Sequence, residues 1–374
     1  MPFITSDFPG GNILVSKVSP DRIWLEPDQR HLKEGHKWFY WSFRATNTEP
    51  VTVTFSHRNY VSAHGPAVSL DEGKTWQWMG REKVTVNEDN TEFSFVLPPA
   101  PEGRRYAFCP QYQESHLQEW LGCHCGNPAL RVSELCKSRN GRSVELLVIQ
   151  DPVAPGREIL WLTARHHCCE SMASYVLEGL LEAALGDDAV GRKIRSRWTI
   201  YSVPFMDKDG VEEGDQGKNR HPHDHNRDYT DSPIYPEVRA AMQFLKAHGP
   251  AVSVVMDLHC PMVHGPWDNR FYAVGSHVPQ VAQGQVRYME QFNAVCVGPI
   301  KPYAGLVLHY GTAWNADANF SDGKAAARWG AENLPNPELV VSFEVPYANA
   351  EGVEVNPRTA RDLGCDLARA LAAL

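Results

Sequence analysis

The stretch from Ile159 to Leu185 constrains this chain most. A largely apolar run, Ile159–Ala164, meets Arg165-His166-His167-Cys168-Cys169-Glu170, and a helix-forming stretch follows at once. A short apolar run bounded by polar residues reads as a buried strand. In Ser171–Leu185, Met172, Val176, Leu180 and Ala184 recur every fourth residue and share one face, with Gly186 placed to cap the end. The polar residues between them therefore sit at a strand-to-helix corner. There His167 and Glu170 stand three apart, a spacing that brings an imidazole and a carboxylate to one cation. Nitrogen and oxygen donors suit zinc, and three protein ligands leave a position open for water. The same pair also reads as a polar helix start, because HxxE is common by chance. Cys168 and Cys169 can act as soft metal ligands; small residues packing at the corner is the simpler reading.

Upstream, residues to about 112 read as all-β. Trp38–Ala45, Val51–Phe55 and Thr91–Leu97 are aromatic or alternating and are separated by turn residues. This predicts a small antiparallel sandwich. Ser69-Leu-Asp-Glu-Gly-Lys-Thr-Trp76 matches the S-x-D-x-G-x-T-W turn, the Asp-box. It occurs once, which fits a hairpin turn with a buried Trp.

Beyond Tyr112 the rhythm changes. Ser115–Leu121 reads as a short helix. Strand-like runs at Val144–Ile149, Ile159–Ala164, Trp198–Val203, Ala251–Asp257 and Leu339–Glu344 alternate with helices at Ser171–Leu185 and Pro236–His248, and Pro357–Leu374 closes the chain. Alternation of this kind predicts an α/β domain with a mostly parallel or mixed sheet, with sites gathered where strands end. The expected division is 1–112 and 113–374, which suits a length of 374 residues. A net charge of −9 disfavours nucleic acid or an anionic membrane as partner. No apolar run reaches the length of a membrane span, the N-terminus lacks the pattern of a secretory signal, and nine cysteines without a framework read as reduced thiols. The expected location is cytoplasmic.

Polar clusters fall at four strand or loop ends. They are His167/Glu170, the loop Asp207–Arg220 continuing to His225-Asn226-Arg227, Asp257-Leu258-His259, and Ser342-Phe343-Glu344. His259, ending a buried strand, is either a third ligand or a hydrogen-bonded core histidine. Asp257 is expected to face the other side of that strand. Glu344 can activate a metal-bound water or pair with an arginine.

Together these clusters resemble the zinc carboxypeptidase family, most closely its cytosolic carboxypeptidase, deglutamylase-like branch. The branch pattern ARxHPGExxxS is similar to Ala164–Ser174, with Cys168-Cys169 in place of Pro-Gly and His167 at the ligand position. PMLNPDGVxxGNxR resembles Pro204–Arg220, DLNR resembles Asp224–Arg227, DLHGH resembles Asp257–Cys260, and YTLE resembles Val341–Glu344. Their order and separations agree, and a β-sandwich before the catalytic domain is that branch's arrangement. The resemblance implies an α/β zinc-carboxypeptidase-like domain with a mixed sheet. It implies one zinc per chain held by His167, Glu170 and His259. Glu344 would be the general base towards a water whose pKa the metal lowers. Arg220 would stabilise the oxyanion, and Asn226 and Arg227 would grip a substrate's terminal carboxylate. The substrate would then be a peptide or protein C-terminus.

Several positions depart from the pattern. His221-Pro-His-Asp-His225 is histidine-rich and reads as a solvated loop. Many family members place a tyrosine some twenty residues before the catalytic glutamate; here the nearest is Tyr310. The branch's GT(A/G)R stretch, whose arginine meets a C-terminal glutamate, corresponds to Gly311-Thr312-Ala313-Trp314, so tryptophan stands in the side-chain pocket unless Lys324 or Arg328 turns in. Three rivals keep parts of the picture: a zinc amidohydrolase acting on an acylated amino acid or cell-wall peptide, a carbohydrate-binding protein suggested by the Asp-box, and a non-catalytic zinc protein.

Overall fold

The structure, a computed structural model, describes residues 2–374. Ten strands fill the N-terminal part: β1 (Phe3–Thr5), β2 (Leu14–Val18), β3 (Arg22–Glu26), β4 (Ser42–Asn47), β5 (Val51–Phe55), β6 (Ala67–Ser69), β7 (Gln77–Trp78), β8 (Thr85–Val86), β9 (Phe93–Leu97) and β10 (Ala100–Ala107). They form two five-stranded sheets, ordered β1-β4-β10-β6-β7 and β2-β3-β5-β9-β8. Pairing is antiparallel apart from the parallel neighbours β3 and β5. Alternation explains the packing. In β5 and β9, Val53, Phe55, Phe93 and Phe95 turn inward, and they share a core with Trp41, which just precedes β4, and with Phe43 and Tyr106 of the other sheet. The Asp-box is the β6–β7 hairpin: Asp71 accepts hydrogen bonds from Ser69, the Thr75 hydroxyl and the Thr75 amide. Trp76 is only half-buried, its indole N–H donating to the Gly73 carbonyl.

Helix α1 (Glu114–Cys123) leads into an eight-stranded sheet. Its strands are β11 (Leu130–Lys137), β12 (Ser143–Ile149), β13 (Glu158–Ala164), β14 (Trp198–Val203), β15 (Val252–His259), β16 (Phe271–Val274), β17 (Pro302–Leu308) and β18 (Leu339–Glu344). The order is β11-β12-β14-β13-β15-β18-β16-β17, with β14, β13, β15 and β18 parallel and antiparallel pairs on both sides. The expected mixed-sheet α/β architecture is present. The helices are α2 (Ser171–Leu185), α3 (Ala189–Arg197), α4 (Lys208–Glu213), α5 (Pro236–His248), α6 (Pro279–Val295), α7 (Ala326–Asn333) and α8 (Pro357–Ala373). Gly186 caps α2 as expected, with extended rather than left-handed dihedrals.

Strand periodicity decides where the site lies. Leu160, Leu162 and Ala164 of β13, Val254, Met256 and Leu258 of β15, and Leu339, Val341 and Phe343 of β18 join the core under α2, α6 and α8. The alternate residues Ile159, Trp161, Val252, Val255 and Val340 face a second core with α5 and α7. Side chains two apart share a face, so Asp257 and His259 project together on the α5/α7 side, as does Glu344. The expectation that Asp257 turns away from His259 is therefore wrong, since a separation of two keeps both on one face; its carboxylate lies 2.7 Å from His259 Nε2.

Candidate metal centre and substrate cavity

His167 and Glu170 occupy the turn between β13 and α2. Arg165 shapes that turn. It is fully buried and holds a left-handed φ of 64°, which only a strong set of contacts sustains in a non-glycine residue. Its guanidinium donates to the Cys168 carbonyl, to the Tyr112 carbonyl at 2.8 Å and to Ser174 Oγ at 3.1 Å. His166 is spent on structure: Nδ1 lies 2.8 Å from Asp257 Oδ1 and Nε2 2.8 Å from the Tyr229 hydroxyl. Glu170 stands at the N-cap of α2 yet makes no capping hydrogen bond. Its carboxylate spans the two other histidines, Oε1 at 2.8 Å from His167 Nδ1 and Oε2 at 2.8 Å from His259 Nδ1.

The donor atoms of His167, Glu170 and His259 all lie within 4.8 Å of one another and are buried. On the far side of each ring a carboxylate holds Nε2: Asp224 at 3.3 Å for His167 and Asp257 at 2.7 Å for His259. Imidazoles that ligate metals are oriented in this way, by a carboxylate on the nitrogen that does not bind. Burial disfavours charge on both rings, yet the surrounding carboxylates outweigh it and raise both pKa values. Burial also opposes ionisation of Glu170, but His167 and His259 hold it down at about 2. A surplus of carboxylate around two neutral-capable rings is the donor chemistry that a divalent cation fits.

A cavity of about 470 Å³ opens over these groups. Glu344 enters it from the end of β18, directly beside His259 in the parallel register. Burial pushes its carboxyl up to about 7, and Oε2 is enclosed without a hydrogen-bond partner. Asn226, Arg227, Tyr310 and Trp314 line the same cavity. Asn226 Oδ1 accepts from the Ala326 amide, which fixes the side chain so that Nδ2 lies 3.1 Å from His259 Nε2. Arg227 donates to the Asn226 and Asn319 carbonyls and stacks over Phe320, its charge centre 5.0 Å from the ring. Among the described residues no carboxylate lies within ion-pair distance of Arg227. Tyr310 donates to Asp317 rather than reaching towards Glu344.

Arg220 is not brought into this cavity, contrary to the expectation that it meets the oxyanion. Its guanidinium is buried in the segment carrying α4, 2.9 Å from Asp207 and 3.2 Å from Asp215, and it donates to Cys168 Sγ at 3.1 Å. Two carboxylates within one short segment capture the charge, and the side chain follows them. Lys218 and Trp38 are among the cavity residues that lay outside the sequence-based set. Lys218 lines the cavity and donates to Asn319 Oδ1 at 3.1 Å. Trp38 reaches the cavity from the N-terminal β part. Arg328 also turns in, but it is held by Asp317 at 3.1 Å and Glu332 at 3.3 Å, whereas Lys324 pairs with Glu332 outside the cavity.

Residues 126–270 match the family described as zinc carboxypeptidase. Mouse cytosolic carboxypeptidase 3 is 28% identical over 223 residues, covering 52% of this chain and 22% of the mouse protein. Cytosolic carboxypeptidase 6 of Caenorhabditis elegans is 24% identical over 282 residues, covering 68% of this chain and 61% of the relative. The chain thus spans less than two thirds of the length of either. The crystal structure of a metallo-carboxypeptidase from Burkholderia cenocepacia shares the fold, with a TM-score of 0.79 over 100% of this chain and 98% of that one at 23% identity. The segment that matches the zinc carboxypeptidase family holds His167, Glu170, Asn226, Arg227 and His259.

Proposed function

We propose that this protein is a zinc-dependent carboxypeptidase that hydrolyses the last peptide bond of a peptide or protein. One observation carries the reading: a His-Glu-His donor set, the free carboxylate of Glu344 and an arginine without a carboxylate partner converge on one cavity. His167, Glu170 and His259 would hold one zinc, which when bound supplies Lewis-acid polarisation and lowers the pKa of water. Glu344 takes a proton from the attacking water and delivers it to the leaving amine, a role suited to a carboxyl whose pKa is lifted towards neutrality. Arg227 receives the terminal carboxylate of the substrate in two parallel hydrogen bonds. Asn226 stands beside His259 with its Oδ1 fixed by the Ala326 amide; because His259 Nε2 donates to Asp257, the Asn226 N–H groups remain for the same carboxylate. Trp314 and Tyr310 border the last side chain. The nine cysteines are all free thiols, which supports a reducing, cytoplasmic setting.

The test joins metal content to substrate form. Wild type should bind about one zinc per chain, and His167→Ala and His259→Ala should lose it. Peptides with a free C-terminus should be cleaved and their amides spared. Arg227→Ala should erase that discrimination, at a cost of about 2–5 kcal/mol towards free termini. Full zinc in both histidine variants, or equal cleavage of amides by the wild type, would defeat the reading.

A further inference from the structure

Resting on the carboxypeptidase reading, we propose that Lys218, and not Arg220, is the cation that meets the carbonyl oxygen of the scissile bond. The sequence pattern points to Arg220, but that guanidinium is neutralised by Asp207 and Asp215 and does not line the cavity. Lys218 does line it, together with His167, Glu170 and Glu344. Its ammonium makes one hydrogen bond, to a neutral amide oxygen of Asn319, and among the described residues it has no carboxylate within ion-pair distance. An ammonium carries three N–H donors, so two are left for the cavity. The backbone explains how the lysine comes so near. Gly217 packs against the metal-ligand turn so tightly that a Cβ there would stand 2.4 Å from Cys169 Sγ and 3.1 Å from His167 Cβ. The next residue, Lys218, is thereby suspended beside His167.

Among the described residues lining the cavity, Lys218 and Arg227 have no carboxylate within ion-pair distance. Arg227 presents a planar fork, suited to a carboxylate with two oxygens. Lys218 presents a point charge, suited to a single oxygen. As water oxygen bonds to the carbonyl carbon, the C=O π pair moves onto the carbonyl oxygen, and Lys218 holds that negative charge. When the pair returns, the C–N bond breaks and the amine leaves with the proton carried by Glu344. Donors aimed at a developing oxyanion act mainly on turnover, and removing one costs about 10²–10³ in kcat.

The experiment uses the zinc-loaded full chain and benzoyl-capped tripeptides ending in phenylalanine, leucine, lysine or glutamate. Lys218→Met should keep its zinc and a KM within about threefold of wild type, while kcat falls roughly a hundredfold or more. Lys218→Arg should recover at least a tenfold part of that loss. Binding of a phosphinic peptide, whose tetrahedral anionic group imitates the charged oxygen, should weaken in Lys218→Met in step with kcat, while affinity for the free product amino acid stays the same. Loss confined to KM, with weakened product binding, would make Lys218 a carboxylate anchor and overturn the assignment. So would unchanged kinetics in Lys218→Met beside an active wild type. A wild type that releases no C-terminal residue from any peptide overturns the carboxypeptidase reading first, and this assignment with it.

Discussion

Glu344 shows how much one side chain owes to its position on a strand. It ends β18, pairs in register with His259 across β15, and so must share the face on which the candidate metal ligands lie. That much follows from a period of two and was legible from the apolar run that precedes it. The lone, enclosed Oε2 was not legible, because it depends on what the other strands fail to offer it. Glu344→Gln keeps the shape and removes the proposed base. It should retain zinc and the melting temperature while kcat falls roughly a hundredfold or more, measured on any peptide the wild type cleaves. Normal turnover in that variant would remove Glu344 from the chemistry. The misplacement of Arg220 has the opposite lesson. Spacing can say that a cation belongs in the loop 207–220, but not which one wins the carboxylates. Asp207 and Asp215 settle that locally, and they leave Lys218 for the cavity.

At the scale of elements, α2 positions part of the candidate metal centre, and α8 positions α2. The two helices approach so closely that glycine is required on both. A Cβ on Gly179 would stand 2.1 Å from the Arg361 carbonyl oxygen, and one on Gly364 would stand 2.0 Å from that of Val176. Backbone atoms cannot rotate aside, so Gly179→Ala must push the helices apart. A loss of about 1–3 kcal/mol in urea unfolding is expected, together with weaker zinc retention as Glu170 moves with its helix. Unchanged stability would mean that the contact is looser than it stands. Both helices were readable from four-residue periodicity and from Pro357 at an N-terminus; their glycine contact was not, because it joins residues 185 positions apart. The segment around α4 carries a pH signature. Burial lifts Asp215 to about 6, with Arg220 only partly opposing, above its ordinary value near 3.8. The folded state then binds the proton more tightly than the unfolded chain. Its contribution to stability is complete below about pH 4 and is lost as pH rises through 6. Wild type should therefore lose melting temperature relative to Asp215→Asn between pH 4 and pH 7, and a constant difference across that range would refute the burial argument.

At the scale of the whole molecule, the N-terminal β part and the α/β part share contacts at the site. Gln216 exchanges two hydrogen bonds with the backbone of Tyr40, the Val61 carbonyl lies 2.7 Å from His264 Nε2, and Trp38 enters the cavity wall. A change from alternating strands to strand–helix alternation near residue 112 was plain in the sequence; this joining was not, since it rests on single polar side chains from distant segments. On the proposed function, the cavity that results would set the specificity. Around the place for a last side chain stand Trp314, Tyr310, Trp267, Met262 and Phe320, a mostly apolar wall. With Arg227 assigned to the terminal carboxylate, the guanidinium left to draw a glutamate is Arg328, which already serves Asp317 and Glu332, and its charge lies 4.7 Å over the Phe320 ring. An incoming glutamate would have to displace those carboxylates or shed its hydration without an ionic partner, and either is costly. Asp268, a half-buried carboxylate on the same wall, adds repulsion. A large apolar residue meets no such cost and gains about 25 cal/mol for each Å² it buries. Peptides that differ only in the last residue should therefore be cleaved at least as fast when they end in phenylalanine or leucine as when they end in glutamate. A preference for glutamate of tenfold or more would show that Arg328 leaves its partners for the substrate, and Arg328→Gln would then abolish that preference while sparing the cleavage of phenylalanine.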